Sequence, residues 1–455
     1  MKLSKYFGDK AFMKTAILVG VPLMLQQLIT GSVNLVDNLM VGQLGDAAIG
    51  GVAAVNRFYI IAQYGTNGIV AAGSIFIAQY YGARNQKKME ESFRFLINIS
   101  CAIMMMFFLG AIFFPTAILG FFTPDPEIIQ MGVYYIRLVA WSYLPIALTL
   151  CFSGAMRAVG ETRIPLFVSA IAVLVNTVLN YCLIFGKFGF PQLGIRGAAY
   201  ATVVARIIEV FILLYFLKER DFGFKTKIKD VFQVPITLSK KIMIKAAPLA
   251  LNEILWSAGM ATLFKFYATR GAEVMSGYSI SSTIGDIFFV LFGGMAAAST
   301  VLISQPLGAN KLEEAKQHGY QLIGFSFVLS FIFAGLMFVS SFYIPYLYSN
   351  ISMEALHIAE IMLRIQSVMF AIYVLNTQNY FILRAGGDTK STLIMDSAFM
   401  WCINIPLVGI LAYFSPLSAF LLYIAGQSTD LIKLVFGYWL VRKEKWVVNL
   451  THEPL

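Results

Sequence analysis

Long apolar runs recur along this chain at near-regular intervals, separated by short polar or basic turns. They fall near 15–41, 52–80, 95–121, 130–155, 164–186, 195–217, 242–269, 276–305, 319–345, 357–382, 391–413 and 416–440. Each is long enough to cross a hydrocarbon layer as a helix. The pattern predicts twelve transmembrane helices, six in each half, and an all-α integral membrane protein.

The two halves match each other. Pro22 and Leu23 meet Pro248 and Leu249, Gly45 meets Gly271, Gly51 meets Gly277, and Gly68, Gln79 and Gly82 meet Gly294, Gln305 and Gly308. After a one-residue slip, Arg157-Ala158-Val159-Gly160-Glu161-Thr162-Arg163 meets Arg384-Ala385-Gly386-Gly387-Asp388-Thr389-Lys390. An even number of spans per half returns the chain to its starting side, so the halves read as parallel repeats, two pseudo-symmetric six-helix lobes. The expected organisation is a first lobe over 1–217, a linker over 218–241 and a second lobe with its tail over 242–455. A membrane protein built from two related halves is usually a transporter.

Composition agrees with the span pattern: 58% of residues are hydrophobic and 13% charged, more apolar surface than a soluble globule can cover. Basic residues gather at Lys2–Lys14, Arg84–Arg94, Arg157–Arg163, Lys218–Lys245, Lys311–Lys316, Arg384–Lys390 and Arg442–Lys445, while the opposite loops carry Lys187, Arg196 and Arg270. This bias predicts cytoplasmic termini and a cytoplasmic linker in a multi-pass protein of the cell (inner) membrane. The net charge of +10 then reflects anionic lipid rather than nucleic acid. The basic N-terminus precedes a long apolar run without a small-residue cleavage site and reads as a retained first span. Cys101, Cys151, Cys182 and Cys402 lie within spans at unpaired spacings and read as small buried hydrophobes.

Enzyme chemistry finds no support. His318, His357 and His452 are far apart, with no Glu or Cys at zinc spacing. The run Gly386-Gly387-Asp388-Thr389-Lys390 lacks the first glycine and the Gly-Lys pair of a phosphate loop. With no room for a soluble ATPase domain, the energy source is an ion gradient or simple diffusion, and no cofactor is expected.

Charges inside spans are costly, so each calls for a reason. Asp37 has Leu263 as its repeat counterpart, so the shared scaffold does not require a carboxylate there. Helical rise places Asp37, Asn180 and Thr202 roughly 8–10 Å below the outer surface, and Asn176 lies one turn deeper on the same face as Asn180. The amides and the hydroxyl alone would read equally well as glue between helices. Together with Asp37 they predict an oxygen-rich ion or substrate site. Arg206 with Glu209, and Asp430 with Lys433, are spaced to neutralise each other along one helix, and Arg206 and Lys433 correspond across the repeat, which favours a scaffold role for both. Lys265 is placed to meet Asp286, while Arg137, Arg364 and Asp396 lie near helix ends where long side chains reach the interface.

Asp37 within Asn34-Leu35-Val36-Asp37-Asn38-Leu39-Met40-Val41-Gly42, the two Arg-Ala-x-Gly turns and Gly197-Ala198-Ala199-Tyr200-Ala201-Thr202 resemble the multidrug and toxic-compound extrusion family over almost the whole chain. The resemblance implies a twelve-helix antiporter that exports amphipathic, often cationic drugs against inflowing Na⁺ or H⁺ by alternating access. It marks Asp37, Asn176, Asn180 and Thr202 as the first-lobe coupling site and Pro22 as a helix kink. Some branches carry a second acid where this chain has Asn180. The NorM-type branch carries acids on spans seven and ten, matched here by Glu253 and Tyr373, so half of that pair is missing and Asp286 is the candidate replacement. Asp37, Glu253, Asp286 and Tyr373 are therefore the expected substrate-binding residues, the bilayer and small amphipathic molecules the expected partners, and a monomer the expected state. Two alternatives are a lipid-linked oligosaccharide flippase of the same superfold, which would display cationic rather than acidic cavity residues, and a membrane-embedded enzyme.

Overall fold

The computed structural model describes residues 3–224, 228–348 and 351–452. Lys2, Lys225 and Lys227 of the basic segments lie outside the described residues, as do the side chains of Asn34, Leu35, Asn38 and Leu39. Among the described residues every regular element is helical: α1 (Lys10–Gly42), α2 (Asp46–Gly82), α3 (Gln86–Phe113), α4 (Pro115–Phe122), α5 (Pro126–Val139), α6 (Tyr143–Ala158), α7 (Arg163–Phe185) and α8 (Ile195–Glu219) in the first half. The second half contains α9 (Ile236–Ala268), α10 (Ala272–Phe292), α11 (Gly294–Ser299), α12 (Gln305–Gly308), α13 (Leu312–Ser340), α14 (Met353–Ala385), α15 (Thr389–Leu393), α16 (Ile405–Phe414) and α17 (Ala419–Arg442).

Several of these join into single spans, as α5 and α6 do across Pro126–Ala158, α10 to α12 across Ala272–Gly308, and α15 and α16 across Thr389–Phe414. Among the described residues eleven segments are apolar enough to cross a membrane on length and composition alone. The twelfth is α9, whose Asn252 and Glu253 dilute an otherwise apolar stretch. The last of the joined spans runs through two π-helical segments, Ile394–Ala398 and Met400–Asn404, which insert an extra residue into the helical register.

The described residues divide into two compact units, one of those up to Gly20 together with those from Leu251 on, the other running from Val21 to Ala250. Both divisions fall beside the prolines inside α1 and α9, Pro22 and Pro248, where each ring removes one backbone hydrogen bond.

Within the Val21–Ala250 unit, a Cβ on Gly197 would lie 2.5 Å from the Leu183 carbonyl oxygen. Only a glycine lets α8 approach α7 this closely, and that approach sets Thr202 beside the asparagines of α7. The repeat preserves a second close crossing: a Cβ on Gly51 would lie 2.7 Å from Gly132 N, and one on its counterpart Gly277 2.8 Å from Ala355 O. The stretch after the linker's 3₁₀ turn Ile228–Asp230 lies on α3, where Asn98 Nδ2 donates to Val231 O at 2.9 Å. Phe224 is fully buried against Phe93, with ring centroids 4.9 Å apart.

In the other unit the position matching Phe93 is Gly319, and the ring of Trp446, from the tail beyond α17, takes the space. Trp446 and Leu450 are fully buried, and the Trp446 indole N–H donates to Val441 O at 2.9 Å. One expectation about the cysteines fails: Cys151 and Cys182 are buried, but Cys101 is half-buried and Cys402 exposed. Cys402 lies on a helix face that the described residues leave uncovered, which a residue count cannot reveal.

Candidate functional site

Asp37, Asn176, Asn180 and Thr202 come together in the Val21–Ala250 unit. Asn180 Nδ2 donates to Asp37 Oδ1 at 2.7 Å and to Asn176 Oδ1 at 3.3 Å, and Asn176 Nδ2 lies 3.4 Å from Thr202 Oγ1. Thr202 spends its own proton on the Ala198 carbonyl one turn back, so its lone pairs face the cluster. Asn176 and Asn180 are buried, while Asp37 is half-buried.

The end of the Asn176 amide that faces Asp37 lies 2.8 and 3.0 Å from the two carboxylate oxygens. Its chemistry depends on what the carboxylate holds. Beside a bare carboxylate that end is the nitrogen, donating to both oxygens; beside a proton or a cation it is the oxygen. Asn180 Oδ1 is buried and accepts no hydrogen bond among the described residues. The cluster thus supplies carboxylate, amide and hydroxyl oxygens around one negative charge, the ligand chemistry that a hard cation prefers. Among the described residues no three His, Cys, Asp or Glu side chains gather as a transition-metal site would require.

These residues line a cavity of about 350 Å³ that also receives Tyr59, Tyr135, Tyr143 and Arg206. That volume lies within the range of small-molecule pockets. Tyr135 is buried, with Thr202 and Asp37 as its polar neighbours, and the buried Tyr143 hydroxyl is without a hydrogen-bond partner among the described residues. The sequence carries no signal for these tyrosines, because aromatic residues at such spacing are ordinary packing material.

Asp286 on α10 is exposed and within electrostatic reach of Tyr373 on α14, whose ring lies 3.9 Å from that of Phe289. Glu253 on α9 is half-buried and neighbours Arg384 and Asp396, and Asp396 also lies within electrostatic reach of Tyr373. The expected contact of Lys265 with Asp286 is not formed: Asp286 has no ion pair among the described residues, and Lys265 is exposed.

Two expectations about buried charges are corrected. Lys433 pairs with Asp396 at 2.5 Å, not with Asp430 on its own helix, so Asp396 is an internal partner rather than an interfacial group. Asn252 Nδ2 steadies the same carboxylate at 3.0 Å. Arg364 extends one turn toward the start of α14, where it pairs with Glu360 and covers the Phe342 ring at 4.1 Å. Arg206 does pair with Glu209, at 2.8 Å.

The polar scaffold of the site recurs in the other unit. Asn404 Nδ2 donates to Thr429 Oγ1 at 2.9 Å, as Asn176 faces Thr202, the π-helical insertion having shifted Asn404 by one position. Leu263 stands where Asp37 would, 5% exposed in an apolar cluster.

The MatE family model matches residues 22–182 and 248–410, once in each half. A relative described as the probable multidrug resistance protein NorM of Halalkalibacterium halodurans is 25% identical over 92% of this chain and 91% of its own length. A MATE transporter crystallised in complex with MaL6 superposes with a TM-score of 0.88 at 18% identity, covering 99% of both chains. An outward-facing multidrug resistance MATE transporter of the MOP superfamily superposes with a TM-score of 0.87 at 17% identity, over 100% of this chain and 99% of that one.

Proposed function

Because the chain belongs to the MatE family, whose members are transporters and not enzymes, we propose that it is a cation-coupled antiporter exporting amphipathic, often cationic compounds by alternating access. The observation that carries the proposal is the Asp37 cluster: a single carboxylate, half-buried in an apolar helical unit, held by Asn180 at 2.7 Å and surrounded by amide and hydroxyl oxygens. A carboxylate so placed needs a counter-charge, and a cation that binds and leaves supplies it intermittently. That is the requirement for coupling.

Na⁺ suits the set better than H⁺, since a proton needs only the carboxylate whereas Asn176, Asn180 and Thr202 add neutral oxygens that bind a hard cation. Glu253, Asp286 and Tyr373 are proposed as substrate contacts, with the aromatic wall beside Asp286 favouring cations through ring quadrupoles. The bacterial relatives and the basic loops support residence in the cell membrane with cytoplasmic termini, and the chain is read as acting as a monomer.

The experiment is a Na⁺ titration of the purified protein at fixed pH and ionic strength, with choline as the replacement ion, followed by thermal unfolding. The proposal expects Na⁺-dependent stabilisation in the native protein and none in Asp37→Asn. Equal stabilisation of both removes Asp37 from the ion site.

A further inference from the structure

Arg206 follows Thr202 by one helical turn on the same face of α8, and it opens into the cavity that Asp37 lines. Among the described residues its guanidinium is held at one point: Nη1 donates to Glu209 Oε2 at 2.8 Å, with the Arg206 side chain 34% exposed and that of Glu209 2%. The acid is the fixed partner. Glu209 Oε1 accepts from Ser169 Oγ on α7 at 3.4 Å, and that hydroxyl accepts from Gln26 Nε2 on α1 at 2.7 Å. The base keeps further N–H donors on the cavity side, within electrostatic reach of Asp37.

The other unit provides the contrast. Lys433 occupies the place of Arg206, Asn252 that of Gln26 and Asp396 that of Ser169, and the lysine is bound across helices with only 12% of its side chain exposed. There Leu263 replaces Asp37. Where the carboxylate is missing the base is locked away; where it is present the base is tied to an acid on its own helix and faces the cavity.

We propose that Arg206 sets the cation affinity of the Asp37 site as a positioning residue. Its guanidinium remains on Glu209 and turns a second edge toward Asp37 as the cation leaves. The planar fork of arginine allows this sharing between two carboxylates, which a lysine ammonium does less well. A resident positive charge spares Asp37 from being bare in a low-dielectric site and keeps the cation from binding too tightly to be released. The inference rests on the reading of Asp37 as the coupling carboxylate.

The test measures Na⁺ binding rather than transport, using NaCl against choline chloride at fixed pH and ionic strength with thermal stabilisation as the readout. Four purified proteins are compared: native, Asp37→Asn, Glu209→Gln and the double variant Arg206→Gln/Glu209→Gln, which removes both members of the ion pair together. Releasing Arg206 from Glu209 directs its charge onto Asp37, so Glu209→Gln raises the half-saturating Na⁺ concentration by at least about threefold. Removing both charges lowers it below the native value. A purely structural pair predicts lower unfolding temperatures in both variants with half-saturation unmoved. A Na⁺ response that is lost in Asp37→Asn but equal in the native protein and the two Glu209 variants overturns the Arg206 proposal alone. A native protein with no Na⁺ response overturns it together with the ion-site reading on which it rests.

Discussion

Lys433 reaches across to Asp396 at 2.5 Å and not to Asp430, although Asp430 lies one helical turn away on its own helix. The lysine and aspartate side chains are 12% and 17% exposed, so the pair is internal. Removing one member strands the other, and a stranded buried charge costs roughly 3–5 kcal/mol. Lys433→Met and Asp396→Asn are each expected to lower the unfolding temperature of the detergent-solubilised protein sharply. The double variant should recover most of the loss. Equal effects of Asp430→Asn and Asp396→Asn would reassign the pair.

Gly386 is the contact point of the C-terminal tail. A Cβ there would lie 2.2 Å from the Trp446 carbonyl oxygen, a backbone atom that can move aside only if the tail moves with it. Gly386→Ala is expected to dislodge the tail and open the bond after Lys445 to trypsin, while the helices stay folded. Unchanged resistance to trypsin would show that the tail accommodates the methyl group.

Asn180 both donates to Asp37 and carries a buried oxygen without a partner among the described residues. Asn180→Leu removes that oxygen and one support of the carboxylate, so the Na⁺ concentration for half-maximal efflux should rise about tenfold, the scale of one lost hydrogen bond to a charged group. A purely proton-coupled protein would show no such shift with Na⁺.

The orientation follows from basic residues and is tested by labelling. Lys229→Cys and Asp125→Cys are introduced where Cys101, Cys151, Cys182 and Cys402 have been replaced, a necessary step because Cys402 is exposed. An impermeant maleimide should label Asp125→Cys in intact cells and Lys229→Cys only after lysis. The reverse pattern inverts the topology.

The Asp37 cluster was legible in the sequence because spans of known length and constant rise fix depth, and depth brought Asp37, Asn180 and Thr202 to one level. Spacing along one helix gave Arg206 its Glu209. The same logic failed for Lys433, since i,i+3 spacing says which side chains can meet and not which neighbour on another helix is nearer. The π-helical turn before Ile405 hid the match of Asn404 and Thr429 to Asn176 and Thr202 by displacing Asn404 one position. The burial of Trp446 was equally invisible, because it depends on two glycines, Gly319 and Gly386, that are distant in sequence.

The central claim is that Asp37 couples an inward cation to outward transport. Its most direct test is efflux of a fluorescent lipophilic cation from proteoliposomes, with Na⁺ and proton gradients imposed separately on the native protein and on Asp37→Asn reconstituted at equal density. An inward Na⁺ gradient at fixed pH should drive efflux by the native protein and none by Asp37→Asn. Efflux driven only by a proton gradient and lost in Asp37→Asn would keep the carboxylate and replace the ion. Efflux by Asp37→Asn at the native rate under either gradient would contradict the account.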